Sequence, residues 1–415
     1  MQAVTGPDYF FLCLDRSARA AGLPPLRCAM AVRLAGQLEP AELRAAVERS
    51  GSARWLGTFR WGRAFPFAKP LWRPAAPVAL PTTVTPLTAP GDLAKQLGWA
   101  DRVTANPGQP FRCGLELFAG AGTTVLFDWH HALMDGRGAL ELLRHVSEGG
   151  APEPDTSGAV PWTEGMTAAR ALGESMRSLG RPPLLALNPV RESAPGGRLA
   201  FRCTELTASQ TADVVRATDA AGCGFCPSVF ILAAALRATD ELRQRRGIAP
   251  GACLAHVPHD LRRKGAVAGA PGNRLSFFSY RAESERLGSV ADTAAHLREQ
   301  LVSQVRSKAP QRFAAAMEAS VRLPLGLVER VTREPAPTVC VSDLGDCSAM
   351  LPSFLGREVV ALQPLPPVPY PPGLQLATMR FGGLLSWTLA WAEARFTGDE
   401  ADLFERVFRR ELCAG

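Results

Sequence analysis

Two adjacent histidines, His130 and His131, stand just ahead of Asp135 and Gly136 in the stretch VLFDWHHALMDGRGALELL. The chain has six histidines in all, so the pair concentrates the one side chain whose ordinary pKa, about 6.5, lets it gain or lose a proton near neutrality. A neutral imidazole set against a hydroxyl or amine can act as a general base, a contribution of about 10² to 10⁴ in rate. The same residues admit two other readings. Both rings and Asp135 could converge on a metal ion, or the pair could be packing, with the carboxylate anchoring a turn.

The elements that must position these residues bear on the choice. In CGLELFAGAGTTVLFDWHH two alternating apolar runs join around Gly120 and Gly122, which predicts a hairpin whose second strand ends at His130; Gly136 and Gly138 then open a helix, ALELLRHV. Successive strand residues face opposite sides, so both rings cannot enter one pocket and one of them is packing. That geometry argues against a metal, and none is expected. Nor does the chain hold a GxSxG elbow, a Walker loop or a completed GxGxxG, although GxG fragments occur at Gly120, Gly136 and Gly222, which weakens hydrolase, kinase and dehydrogenase readings.

At 415 residues the chain exceeds what one core usually supports, and two lobes are expected. A strand-then-helix unit occurs twice. Cys28, Met30, Val32 and Leu34 alternate as on a half-buried strand, with Pro40 in the first turn of a following helix. Leu199, Phe201 and Cys203 alternate likewise, and Thr207 with Gln210 forms a capping box before the next helix. Residues 149–198, rich in Pro and Gly, read as a linker with a helix near 163–179, and PLPPVPYPPG at 364–373 as an ordered extended loop. Two apolar stripes predict helices: Val290, Ala294, Leu297, Leu301 and Val305 after a Ser289 cap, and Leu403, Phe404, Val407, Phe408 and Leu412. Alternating Leu385, Trp387, Leu389 and Trp391 predict a strand. The fold class is α/β, two α+β sandwich lobes divided as 1–185 and 186–415.

Composition is that of a globular protein, 47% apolar, with a net charge of +7 from 46 Lys and Arg against 39 Asp and Glu. No basic run beyond LRRK at 261–264 and no basic-aromatic interleaving occurs, so nucleic acid is not an expected partner; a phosphate-bearing small molecule or an acidic carrier protein fits better. No window approaches 18 apolar residues and the N-terminus lacks a leader pattern, which reads as a soluble, cytoplasmic chain with no integral membrane segment. The ten cysteines are irregularly spaced. Cys223 and Cys226 form a CxxC before Pro227, but a helix rather than a strand precedes them and no second CxxC completes a zinc site, so a turn between helices is expected.

HHALMDG resembles the HHxxxDG signature of the chloramphenicol acetyltransferase-like superfamily, which includes peptide-synthetase condensation domains, alcohol acyltransferases and wax ester synthase/diacylglycerol acyltransferases. Further similarities follow in that family's order. HVPHDLRRKGAVAGAPGN (256–273) is similar to its VPxxLR segment and GN motif, and CVSDLGD (340–346) to its SNxxG turn, with Asp343 where Asn is usual. The DFGWG motif of the plant branch is missing. PLW at Pro70–Trp72 echoes a wax-synthase motif but stands too far before the histidines to be counted.

The resemblance implies two similar lobes with an interface tunnel, and an acyltransferase moving an acyl group from a CoA or acyl-carrier thioester to a hydroxyl, less readily an amine, with no bound cofactor and no covalent enzyme intermediate. It implies His131 as the base, His130 and Gly136 as support, and Asp135 turned away into a salt bridge, for which Arg262 is the first choice and Arg263 or Arg281 the others. Asn273, Ser342 and the backbone after His131 are candidates for the oxyanion or the tunnel. A free-standing condensation enzyme joining carrier-bound pieces, possible through an acyl or peptidyl carrier partner, and a non-catalytic carrier- or lipid-binding member of the fold are the alternatives.

Overall fold

The computed structural model describes residues 2–56, 59–62, 68–74, 82–86, 93–105, 113–119, 122–149, 162–187, 197–262, 272–332 and 335–413. The chain opens with β1 (Gln2–Ala3) and α1 (Gly6–Ala20). This helix starts at a capping box: the Thr5 hydroxyl accepts from the Asp8 amide, the Asp8 carboxylate accepts from the Thr5 amide, and Pro7 occupies the first turn. Then come β2 (Arg27–Leu34), α2 (Pro40–Arg49), α3 (Gly51–Leu56), β3 (Phe59–Gly62), β4 (Leu71–Pro74), β5 (Thr82–Pro86), α4 (Leu93–Gln96) and α5 (Trp99–Ala105). The hairpin follows as β6 (Cys113–Ala119) and β7 (Thr123–His130), then α6 (Gly136–Glu148) and α7 (Trp162–Leu179).

The second half runs β8 (Leu199–Glu205), α8 (Ala208–Ala220), α9 (Pro227–Arg245), β9 (Ala252–Asp260), β10 (Leu275–Glu283), α10 (Val290–Arg306), α11 (Ala309–Ser320) and α12 (Leu325–Thr332). It ends with β11 (Val339–Asp346), β12 (Ser353–Phe354), β13 (Arg357–Leu365), β14 (Leu374–Phe381), β15 (Leu384–Ala392) and α13 (Gly398–Cys413). Two six-stranded sheets result, β12-β13-β2-β7-β6-β5 and β10-β9-β11-β14-β15-β8, beside a small β1-β4-β3 sheet. The lobes are thus interleaved. β13, from the second half, pairs antiparallel with β2, Leu365 opposite Ala29, while the Gln363 amide reaches back to Trp387 O and Thr388 Oγ1 at 3.0 and 2.8 Å.

This crossover explains a departure from the expected half-buried β2. One face, Cys28, Met30, Val32 and Leu34, packs under the helices of its own lobe. The other carries Ala29 and Ala31, which join Phe201, Ala390 and Ala392 in a core between the two sheets. Small side chains there admit the close approach of the second lobe.

In the second sheet one face is sealed by α9 and α13, with Leu376, Trp387 and Leu389 against Phe230, Phe404 and Phe408. The cap at Ser289 and the capping box at Thr207 lie where the pattern puts them. The α10 stripe stops at Leu301, and Val305 is 57% exposed. The 149–198 segment is more than a linker: α7 packs on α11, where Gly165 stands so close to Ala319 that an added Cβ would lie 2.9 Å from its methyl, and Met166 and Met176 wall a cavity. The 364–373 loop begins inside β13, and Pro366, Pro369 and Tyr370 line the same cavity.

Cys223 and Cys226 form the turn between α8 and α9, with Cys226 at the N-cap of α9 and both thiols free. Burial raises both, Cys226 to about 11, which is the reverse of an activated redox thiol. Among the described residues no group of three His, Cys, Asp or Glu side chains is arranged to hold a metal ion, and no helix is long and apolar enough to cross a membrane.

Candidate active site

β7 lies between β2 and β6, with Arg27 opposite His130, and it ends at the first histidine. His130 is fully buried. Its Nδ1 accepts the Ala132 amide at 3.1 Å, which assigns the proton to Nε2, and Nε2 lies 3.1 Å from Asp15 Oδ1. Burial pushes the Asp15 carboxyl up, but the His130 contact and the Leu26 amide outweigh it and hold it below the usual range. His130 is therefore a structural strut, tying the strand end to α1.

His131 takes the opposite direction and lines a cavity of about 710 Å³ between the two sheets. Its amide donates to Leu26 O at 2.9 Å, its carbonyl accepts from Asn273 Nδ2 at 3.0 Å, and its ring stacks on Phe11 with centroids 3.6 Å apart. Nδ1 is sealed and makes no well-formed hydrogen bond, only a contact with its own carbonyl, which leaves Nε2 as the nitrogen on the cavity side. Burial lowers its pKa to about 4; its own carbonyl and the Asp135 charge act the other way without offsetting this. The ring is neutral at pH 7, with a lone pair to offer.

The turn after the histidines is held at several points. The Trp129 indole donates to Met134 O at 2.8 Å, and Asp135 caps α6 by accepting the Gly138 amide at 2.8 Å. The other Asp135 oxygen accepts from the Arg274 amide at 2.8 Å and from Arg262 Nη1 at 3.0 Å. Arg262 also donates to Asp260 Oδ1 at 3.1 Å and Gly272 O at 2.9 Å. Arg262 is thus Asp135's partner. Arg281 is engaged with Glu283 and the carbonyls of Leu179 and Arg181, and Arg263 lies outside the described residues. Burial raises the Asp135 carboxyl, but the adjacent guanidinium prevails and holds it below the usual range.

Two glycines here have different reasons. Gly136 has no left-handed backbone; an added Cβ would come 2.8 Å from Leu344 Cδ2, so close packing across the lobes rather than turn conformation explains it. At Gly138 an added Cβ would stand 2.6 Å from the Gly272 carbonyl oxygen. A leucine tip can move and a backbone carbonyl anchored by Arg262 cannot. Gly138→Ala is expected to cost about 1–3 kcal/mol, the usual range for overpacking, and Gly136→Ala clearly less, a ranking that chemical denaturation of both variants checks.

Asn273 does not serve as an oxyanion donor. Both hydrogens of its amide nitrogen are spent, one on His131 O and one on Asp8 Oδ1 at 2.9 Å, and the residue is buried. It positions the catalytic candidate's backbone instead. Asp8 in turn accepts from the Trp72 indole at 3.3 Å, and burial pushes its carboxyl up to about 6. Trp72, remote from the histidines in sequence, is therefore carried by β4 to within two residues of Asn273 in a hydrogen-bonded chain, Trp72–Asp8–Asn273–His131. Neither its role nor Asp8's is signalled by local pattern.

Ser342 lies on β11 beside Ala377 of β14, and both line the cavity. Asp343, in the position where Asn is usual, accepts from the Gly345 amide at 3.1 Å and the Thr378 hydroxyl at 2.9 Å. Those are acceptor roles that an Asn oxygen would also fill. Arg137 bridges the lobes, with Nη2 donating to Leu344 O at 2.9 Å and Nη1 lying 3.3 Å from Asp260 Oδ2. The cavity is otherwise mostly apolar, with Phe10, Leu14, Phe277 and Phe313 on one side. A neutral imidazole facing such a space can take a proton from an incoming hydroxyl or amine.

No protein-family model matches the chain, and no curated protein sequence matches it significantly. Solved structures do. The trichothecene 15-O-acetyltransferase from Fusarium sporotrichioides superposes with a TM-score of 0.72 at 13% identity, covering 99% of this chain and 94% of that one. The first condensation domain of the calcium-dependent antibiotic synthetase, in complex with a substrate analogue, gives 0.70 at 16% identity, covering 99% and 95%. The starter condensation domain of rhizomide synthetase, a mutant in complex with C8-CoA and Leu-SNAC, gives 0.64 at 18%, covering 100% and 94%. The chain has the two-lobed chloramphenicol acetyltransferase-like fold that these condensation domains and this acetyltransferase share.

Proposed function

We propose that the protein is an acyltransferase in which His131 acts as general base for attack of an acceptor hydroxyl, less readily an amine, on an acyl thioester. The observation that carries this is the His131 ring, neutral and turned to an apolar cavity between two lobes while His130 is locked away. The acceptor oxygen bonds to the thioester carbonyl carbon as its proton passes to Nε2. The resulting oxyanion collapses, the C–S bond breaks, and the thiolate takes the proton back from the imidazolium. Ser342 is the proposed hydroxyl donor to the oxyanion, because it lines the cavity and Asn273 has no donor left. CoA or a phosphopantetheinyl carrier protein supplies the thioester and a small molecule the acceptor. The basic balance of the chain suits either donor.

The test is thiol release from acyl-CoA and N-acetylcysteamine thioesters of graded length, with a panel of alcohols and amines, followed by detection of the ester or amide. Turnover that depends on His131 is expected with at least one pair. If no thioester gives His131-dependent turnover, the protein is a binding module instead.

A pH profile tests the base separately. The free enzyme's kcat/KM is expected to be flat from about pH 8 to 6 and to fall only as the pH approaches about 4, because burial keeps the ring unprotonated well below its ordinary value. An acid limb centred at 6.5 or above would mean that an exposed group, not this ring, takes the proton.

A further inference from the structure

The cavity holds a second histidine for which the proposed transfer has no use. His256 lies on β9, and Ser279 of β10 stands directly opposite it. On its other side, β11 places Cys340 beside His256, and β14 places Gln375 beside Cys340. With neighbouring strands about 4.8 Å apart, His256, Cys340 and Gln375 form one row about 10 Å long across the sheet. All three line the cavity, whereas their strand neighbours Ala255, Val339 and Leu376 point into the helix-covered core. Ser342 is one two-residue step, about 7 Å, further along β11.

The row is polar in a mostly apolar chamber, and its polarity is uncharged. His256 Nδ1 shares a hydrogen bond with Ser279 Oγ at 2.9 Å, which fixes the ring and leaves its other nitrogen free to meet a ligand; Ser279 is itself held by its amide donating to Gln304 Oε1 at 2.9 Å. Burial keeps His256 neutral, with a pKa of about 4, and Cys340 a thiol, raised to about 12. Gln375 donates its Nε2 to Leu376 O at 3.0 Å, so its carboxamide oxygen is the atom left to accept. Of the cavity's charged side chains, Asp260, Arg137 and Arg262 are paired with one another and with Asp135, Asp343 accepts from the Gly345 amide and the Thr378 hydroxyl, and Arg177 is an exposed residue of α7 that donates to Gly173 O. The row itself, among the described residues, offers no charge to a bound carboxylate or ammonium, whereas an amide or hydroxyl would find both a donor and acceptors.

We propose that His256, Cys340 and Gln375 form a recognition subsite for a neutral amide or hydroxyl group of a substrate, making the protein selective against plain hydrocarbon substrates. This deepens the acyl-transfer reading and rests on it in so far as substrates enter this cavity. The recognised group has two sources, an amide of the thioester's pantetheine-like arm or an amide or hydroxyl of the acceptor.

Binding measured by calorimetry on the His131→Ala protein, where transfer is slowed, with each probe added alone, tests it with two probe pairs. For the thioester arm, S-hexanoyl-N-acetylcysteamine is compared with S-pentyl hexanethioate; for the acceptor, N-(2-hydroxyethyl)hexanamide is compared with 1-nonanol. His256→Leu and Gln375→Leu, each checked for cooperative thermal unfolding, are expected to weaken the amide-bearing probe of one pair about tenfold while leaving its amide-free partner, which shares the thioester or terminal hydroxyl, unchanged or tighter, and the responsive pair identifies the source. Amide-bearing probes that bind all the folded proteins alike would overturn the subsite and leave acyl transfer untouched. If no probe of either pair binds, the cavity is not the substrate site, and both readings fall.

Discussion

Replacing His131 by alanine is expected to lower turnover about 10² to 10⁴-fold, the usual worth of a positioned general base, while changing stability little. The ring's contribution to folding is mixed. It loses a stack on Phe11, worth about 0.5–1.5 kcal/mol, but its removal also abolishes a sealed Nδ1 that makes no well-formed hydrogen bond, and the space opened adjoins a cavity that already exists. His130→Ala is the counterpart. It leaves the buried Ala132 amide without its acceptor and takes one partner from Asp15, which keeps the Leu26 amide and Arg19, so it is expected to destabilise by about 1–3 kcal/mol for the unpaired amide, on top of the packing lost. Thiol-release rates and denaturant midpoints on both variants, with KM and kcat resolved, separate a base from a strut. A His131→Ala protein with wild-type kcat would remove the central assignment, whatever the effect of its neighbour.

The opposed fates of the two histidines were legible because strand alternation is a local property: the apolar run up to His130 sets its side, and the chain leaves the strand at the next residue. The hairpin, the helix caps at Thr207 and Ser289 and the stripe on α13 were legible for the same reason. Arg262 entered only through the resemblance, since it stands 127 positions after Asp135 and no pattern couples them. Asp8 entered not at all and Trp72 only as part of a PLW stretch set aside as too far from the histidines: their hydrogen bond spans 64 residues and the one from Asp8 to Asn273 spans 265. Sequence also shows which groups a side chain carries but not which are already engaged, which is why Asn273 read as a donor and proved to have both amide hydrogens engaged. The segment around α7 read as a spacer because its flanks are rich in Pro and Gly. Whether a helix is a spacer or a wall depends on its partner, here α11, which is encoded far downstream. The crossover of β13 into the first sheet likewise has no local signature.

Arg262→Ala is expected to cost about 3–5 kcal/mol at neutral pH, the range for removing one member of a buried ion pair. The guanidinium joins Asp135, Asp260 and the Gly272 carbonyl, and both it and Asp135 are largely buried, with side-chain exposures of 14% and 8%. Its loss leaves a carboxylate in the interior with only the Gly138 and Arg274 amides for company. The pH dependence follows from the sign of the Asp135 shift. Its folded-state pKa lies below the unfolded value of about 3.9, so the pair's contribution is fully present above that value and is lost as pH falls through the lower folded-state value. Without Arg262, burial raises the Asp135 carboxyl and lets it protonate in place. The gap between wild type and variant is therefore widest near pH 7 and narrows as the pH drops below about 5. Lysine is a poor substitute, since one ammonium cannot hold three acceptors in the planar fork that Arg262 uses. Activity should suffer beyond the stability loss, because Gly272 adjoins Asn273, whose amide holds the His131 carbonyl; kcat is expected to fall more than KM rises. Urea melts of the wild type, Arg262→Ala and Asp135→Asn from pH 7 to 4 decide the matter: a gap that stays constant over that range would assign the cost to the Gly272 hydrogen bond rather than to the ion pair.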